Sequence, residues 1–341
     1  MPRRPTIIDV AKLAGVSKAT VARVVNGQID IVSQETRERV MEAVDKLGYE
    51  RNSIAGSLRT DKTYMIALSI PDITNPFWPE VTRGVQDTLE TSEYAVVTVN
   101  SDWDADRELK YLKMVRRNRF DGLIINPTDA NSTHFRDMEV PIVLLGSGNG
   151  YAGYDSVGSD TESAVQIALD YLYGLGHRRI ALIAGLSARR KNTSRYHSYV
   201  DFLARNHLKL DPDLVAHGDF TLQAGRDAMR QLLTLPQPPT AVFAANDVIA
   251  IGAMQTADAM NWRIPEDVSI IGMDDIYLAS TALPPLTTIA KPKYEIGVEA
   301  ARLLRGRVKY GADLPIQSVR LPCELVVRGS TARPAEKTGR A

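Results

Sequence analysis

The chain has a single cysteine, Cys323, so no disulfide can form within it and an oxidising compartment gains no support. No stretch approaches the roughly 20 apolar residues of a membrane span, and the opening residues lack the apolar core of a secretory leader. An excess of one charge is also missing. Lys+Arg and Asp+Glu stand at 41 each, so the overall balance neither requires nor excludes nucleic acid. The five histidines show no metal-ligand spacing, and no nucleophile motif appears. Gly148 to Gly153 does spell G-x-G-x-x-G, but Tyr154-Asp155-Ser156-Val157-Gly158 reads as a strand, leaving no helix N-terminus to hold a pyrophosphate. These absences disfavour a secreted, membrane or enzymatic chain, and imply a cytoplasmic protein without cofactor or metal.

What is present is uneven along the chain. With 341 residues and 44% apolar content, two or three domains with sizeable cores are expected. Residues 1–62 hold 11 Lys/Arg against 8 Asp/Glu, leaving 30 against 33 for the rest. Within this basic stretch a pair of short helical patterns meets at Gly15-Val16-Ser17. Thr6 can cap the first, with Asp9 three residues on, and Ser17 can cap the second. Val21, Val24 and Val25 form an apolar stripe, while Ala19, Arg23 and Asn26 form a small, polar, basic face. A buried face opposite a basic reading face suits a helix lying in a DNA major groove. A third helix, opening at Ser33 and ending at Gly48, would close a core with Leu13, Val21 and Val25. Ser53 to Arg59 is amphipathic but too short to be helical by itself, and Gly56 weakens it further.

Residues 6–64 resemble the DNA-binding head of the lactose/galactose repressor family of bacterial transcription regulators. The matching words include Asp9-Val10-Ala11, Ala14-Gly15-Val16-Ser17, Thr20 to Asn26, Val32-Ser33, Leu47-Gly48-Tyr49 and Asn52. The resemblance implies that Ser17 and Thr20 hold phosphates, that Lys18, Ala19 and Arg23 meet base edges, and that Asn26 supports the backbone contacts. It implies that Leu58 wedges into the minor groove; Thr6, Asn52 and Ala55 complete the DNA-facing set. Ala22 departs from the serine usual in the family, and Ser53 and Gly56 from better helix formers.

From Tyr64 onward, short apolar strands alternate with amphipathic helices. Strands are predicted at 65–70, 95–100, 122–125, 142–145, 156–158, 180–184, 241–244, 268–272 and 287–290. Helices are predicted at 105–118, 161–173, 222–234, 247–260 and 293–305. Such alternation means parallel sheets covered on both faces, and the strand count suggests two sheets flanking a cleft. Ligands in these folds sit at the carboxyl ends of strands. Residues able to hold hydroxyls and sugar faces cluster after those ends: Asp72, Asn75, Phe77 and Trp78, then Arg195, Phe220, Asn246 and Asp274.

Asn75-Pro76-Phe77, Leu175 to Ile180, Ala245-Asn246-Asp247, Asp274-Asp275 and Pro284 to Ile289 extend the resemblance to the family's periplasmic-binding-protein-like core. It implies that Asn75, Phe77, Trp78, Arg195, Phe220, Asn246 and Asp274 contact the effector; Asp72, Ser147 and Lys291 complete the candidate set. Gly146-Ser147 replaces an Asp-Arg pair found in many sugar binders, and Lys291 replaces glutamine. Lys291 either adds a second cation to Arg195 or pairs with Asp274.

The expected architecture is an all-α helix-turn-helix head at 1–51, a hinge at 52–62, and an α/β core of two doubly wound subdomains at 63–328. The core divides into 63–160 with 291–322, and 161–290 with 323–328; residues 329–341 read as a disordered tail. The resemblance implies a homodimeric repressor of carbohydrate genes that binds double-stranded operator DNA. A sugar or sugar derivative would control its affinity; the alternative effector is a nucleobase or an acidic or phosphorylated sugar acting as co-repressor. No membrane partner is implied. A transport protein and an α/β enzyme are the rival classes.

Overall fold

The computed structural model describes residues 5–27, 31–50, 62–128, 132–146, 151, 153–185 and 194–335. Two units emerge, Met1–Thr63 and Tyr64–Ala341. Residues 52–61 of the expected hinge lie outside the described residues.

In the first unit, α1 (Ile7–Ala14), α2 (Lys18–Val25) and α3 (Gln34–Leu47) pack on one another. The Asp9 carboxylate accepts from both the Thr6 amide, at 2.8 Å, and the Thr6 hydroxyl, at 2.6 Å, which fixes the first turn. Gly15 ends α1 at φ 65°, a left-handed conformation that costs a glycine little, and Ser17 Oγ then caps α2 by accepting from Thr20 N at 3.1 Å. The core is small and β-branched or alanine-rich: Val10, Ala11, Ala14, Val21, Val24, Val40 and Ala43. Leu13, expected inside, is 46% exposed. With Val10 and Ala14 already turned inward on α1, the adjacent position points outward.

The second unit contains, among the described residues, two six-stranded sheets. The first is built from β1 (Met65–Ile70), β2 (Ala95–Asn100), β3 (Gly122–Ile125), β4 (Ile142–Leu145), β5 (Asp155–Ser159) and β11 (Ser318–Leu321). Their order is β11-β5-β4-β3-β1-β2, all parallel. The second contains β6 (Ile180–Ile183), β7 (Val215–Ala216), β8 (Ala241–Ala244), β9 (Ser269–Asp274), β10 (Thr287–Ala290) and β12 (Glu324–Val326), ordered β12-β10-β9-β8-β6-β7. Here β12 alone among them runs antiparallel to its neighbour. The chain passes from one sheet to the other after β5, after β10 and after β11.

Helices cover these sheets: α4 (Phe77–Glu90), α5 (Ala105–Arg117), α6 (Ser132–Arg136), α7 (Thr161–Gly174), α8 (Ser194–Arg205), α9 (Leu222–Leu233), α10 (Asp247–Ala259), α11 (Tyr277–Thr281) and α12 (Lys293–Tyr310). Two crossings depend on glycine. A Cβ on Gly84 would lie 2.1 Å from Tyr294 O, and one on Gly297 2.1 Å from Val81 O, so α4 and α12 touch backbone to backbone. Gly225 and Gly252 bring α9 and α10 together in the same way, with Ile249 O and Leu222 O each at 2.1 Å. No described helix is long and apolar enough to cross a membrane.

The end of the chain corrects an expectation. Residues 329–335, read as belonging to a disordered tail, are held along the second sheet. Ser330 is fully buried; its Oγ donates to Ile270 O at 2.6 Å and accepts from Thr287 N at 2.8 Å, while its carbonyl accepts from Ile270 N at 2.8 Å. Tyr171 and Thr287 engage the Thr331 hydroxyl, and Ala332 O meets both Ser269 Oγ and His177 Nε2. Burial lowers the His177 pKa, consistent with a neutral ring that bridges Thr240 Oγ1 and Ala332 O. The segment is polar in sequence because its side chains complete the hydrogen bonding of sheet backbone. Ser330→Ala leaves the Thr287 amide without its partner and takes away one donor to Ile270 O. It is expected to lower stability by about 1–3 kcal/mol, read as a lower urea midpoint with unchanged slope.

Candidate functional site

Two surfaces carry the candidate residues. On the head, Ser17, Lys18, Ala19 and Arg23 are exposed, whereas Thr6, Thr20 and Asn26 are half-buried. Thr6 and Ser17 are engaged at helix caps, and Asn26 closes α2 with its amide on Ala22 O at 3.1 Å. Val21 and Val24 face inward, so Lys18, Ala19 and Arg23 share the outward side of α2. Asn52, Ala55 and Leu58 lie outside the described residues.

In the core, a cavity of about 250 Å³ opens where the strands of both sheets end. Most polar lining groups sit at or just past a strand end. After β1, Asn75 Oδ1 accepts from Phe77 N at 3.0 Å and starts α4, setting Phe77 and Trp78 edge to face at 4.9 Å. After β8, Asn246 caps α10, its Oδ1 accepting from Ile249 N at 2.8 Å. Arg195 enters from the first turn of α8, and Phe220 follows β7. Asp274 ends β9, and Lys291 follows β10.

Lys291 and Asp274 meet at 2.9 Å with both side chains about 6% exposed. Of the two roles the sequence allows Lys291, pairing with Asp274 is therefore realised, while Arg195 lines the same cavity. Burial lowers the Lys291 pKa; Asp274 opposes that shift and the like charge of Arg195 adds to it. The Arg195 guanidinium lies 5.6 Å from the Phe220 ring centroid and the Lys291 ammonium 5.4 Å from that of Phe77. Asp274 (φ 121°) and Asp275 (φ 54°) are held in left-handed backbone, where strain of this kind gathers at functional sites. Lys293 secures this turn by donating to Asp274 O at 2.9 Å and Asp275 O at 2.7 Å.

Beneath lies Asp247, fully buried, accepting from Ile276 N at 2.9 Å and from Thr288 Oγ1 at 2.5 Å. A Cβ on Gly272 would lie 2.2 Å from the Asp247 carboxylate, so glycine makes room for it. Burial, then the neighbouring Asp274 charge, pushes the Asp247 carboxyl up to about 7.

Of the ten candidate cleft residues, Asn75, Phe77, Trp78, Arg195, Phe220, Asn246, Asp274 and Lys291 line the cavity. Asp72 does not. Its carboxylate turns back on its own loop, accepting from Thr74 N at 2.8 Å and Thr74 Oγ1 at 2.6 Å, an ordinary turn role. Ser147 lies outside the described residues. Sequence reasoning missed Trp103, Asn126 and Thr161, which also line the cavity. Trp103 stacks on Phe220 at 5.4 Å and 23°, joining the two subdomains across the opening. Its own φ of 58°, beside Asp102 at 51°, shows that the loop after β2 is bent to aim it. Asn126 Nδ2 donates to Leu145 O at 2.6 Å. Each stands directly or nearly after a strand end, the one signal that could have found them.

Comparison with known proteins agrees across the chain. Residues 6–52 match the model of bacterial regulatory proteins of the lacI family, and residues 169–331 that of a periplasmic binding protein-like domain. The HTH-type transcriptional repressor CytR of Escherichia coli (strain K12) is 38% identical over 330 residues, 96% of this chain and 96% of its own length. Catabolite control protein A of Priestia megaterium is 34% identical over 332 residues, 96% of this chain and 99% of its own. The crystal structure of the lac repressor dimer bound to operator and an anti-inducer has a TM-score of 0.85 at 28% identity, covering 97% of this chain and 100% of that one. A CelR–cellobiose complex gives 0.69 at 33% identity, covering 96% and 100%.

The Asp247 environment makes stability depend on pH. Its carboxyl is raised above the ordinary 3.8, so the contribution of the neutral acid is complete below that value and is lost as pH climbs through about 7. Between about pH 4 and about pH 7, the wild type should lose stability relative to Asp247→Asn. Parallel urea-denaturation profiles for the two proteins would contradict the buried-acid assignment.

Proposed function

The chain belongs to the lacI family of bacterial regulatory proteins, and we propose on that premise that it is a cytoplasmic, ligand-responsive repressor of carbohydrate genes and not an enzyme. The observation that carries this reading is the pairing, in one chain, of an outward basic helix face in the head with a polar and aromatic cavity in the core. In this reading Lys18, Ala19 and Arg23 meet base edges, Ser17 and Thr20 meet phosphates, and 52–62 act as the hinge. A small ligand fills the cavity, with its hydroxyls on Asn75, Asn246, Asp274 and Arg195 and its C–H faces on Phe77 and Phe220. The lac repressor structure is of a dimer on operator, and a second copy suits this chain too. Tyr277 (66% exposed), Leu278 and Leu283 (91% exposed) offer an apolar face on and after α11.

Ligand control follows from geometry. The cavity is walled by both subdomains, so a ligand that contacts both favours the arrangement in which the walls lie closest. A coupling of about 1–3 kcal/mol between cleft and head is typical of such linkage. CelR and other relatives are solved with neutral sugars bound, cellobiose and ribose among them, which supports a carbohydrate as the ligand class.

The direct test is fluorescence anisotropy of DNA from upstream of the protein's own gene, at fixed salt, with and without a sugar panel. Tight binding that one sugar weakens or strengthens is expected; indifference to every duplex at low salt sinks the reading. Arg23→Ala should weaken specific binding by about 1–3 kcal/mol, the worth of a bidentate contact to guanine, and non-specific binding far less.

A further inference from the structure

Among the described residues, the charged side chains lining the cavity are Arg195, Lys291 and Asp274, two cations to one carboxylate. Several acceptor atoms lining the cavity are already engaged. Asp274 Oδ1 is taken by Lys291, Asn246 Oδ1 by Ile249 N, and Asn75 Oδ1 by Phe77 N. By contrast, Arg195 Nε and Asn246 Nδ2 are buried hydrogen-bond donors that find no acceptor among the described residues, and Asn246 is only 1% exposed. A buried donor left unsatisfied is costly, more so when charged, and a ligand that supplies acceptors removes that cost. The first turns of α7 and α8 and the cap of α10 also face the cavity, and helix N-termini favour negative charge.

We propose that the effector carries an anionic group, a carboxylate or phosphate, seated against Arg195 and Asn246, with its carbon skeleton on the Phe77 and Phe220 rings. This rests on the reading of the cavity as the effector site and narrows the ligand class within it. A neutral sugar satisfies the stacking faces and the Asp274 side. It leaves the second cation uncompensated in a site where Arg195 and Lys291 already oppose each other. An anion cancels that surplus and fills both unpartnered donors.

The test uses matched probes on the full chain: D-glucuronate against D-glucose, and ribose 5-phosphate against ribose, by calorimetry and thermal shift. The anionic member of at least one pair should bind at least about tenfold tighter than its parent, as expected for a charge-assisted hydrogen bond. The pair that shows this separates carboxylate from phosphate. Lys291→Gln should shrink that margin to below about threefold. Equal or tighter binding of the neutral parents, or no stabilisation by either anion, overturns the proposal, and this comparison within the wild type stands even if the variant folds poorly. Anion binding without any change in operator affinity counts against the sensing function and leaves the charge assignment intact. Release or tightening by a neutral sugar alone does the reverse.

Discussion

Parallel strand pairing imposes the constraint from which the core's architecture follows. In a parallel sheet every strand ends on the same edge, and each return to the start needs a covering helix. Every pairing in the first sheet is parallel, although β4 leads into β5 with no intervening helix among the described residues, and the second sheet is parallel except at β12. Strand ends, and therefore the loops and first helical turns that follow them, are gathered in two rows. Three passages of the chain between the sheets bring those rows to a common opening, and the cavity lies there. Asn75, Asn246, Asp274 and Lys291, distant in sequence, become neighbours because each occupies the same place in a repeated strand-to-helix unit.

The chemistry of the opening is layered. At the surface of the cavity, Arg195, Lys291 and Asp274 carry charge, with Phe77, Trp103 and Phe220 supplying faces. One step below, Asp247, Thr288, Ile276 and Lys293 hold the strained Asp274-Asp275 turn in place. Gly272 is small so that Asp247 can sit there at all. A buried carboxyl near neutrality beneath an ion pair is a costly arrangement, and its hydrogen bonds explain how the fold tolerates it. Rigid support of this kind is what keeps a ligand contact within hydrogen-bonding range.

Much of this was legible in the residues. The nine predicted strands all occur, most within a residue or two, because strands covered on both faces read as short apolar runs between turn residues. The strands that sequence reasoning missed, β7, β11 and β12, are two to four residues long and partly exposed, too short to stand apart from the loops around them. Leu13 was misplaced because an eight-residue helix has too few turns to fix which leucine or alanine faces inward. The segment after Gly329 was misread because its polarity, ordinarily a mark of solvent exposure, here serves to complete the hydrogen bonds of β9 and β10.

Neighbouring residues alone specify the local units: the caps at Thr6, Ser17 and Asn246, the alternation of strand and helix, and the residue types that follow each strand. Such rules act over a few positions and need no knowledge of the rest of the chain. What the units do together depends on packing. Packing turned Asp72 away into its own loop, set Trp103 on Phe220 from the opposite subdomain, and paired Lys291 with Asp274 while leaving Arg195 Nε and Asn246 Nδ2 without acceptors among the described residues. Charge compensation and stacking depend on distance in space, and distance between residues more than a hundred positions apart is a property of the packed sheets.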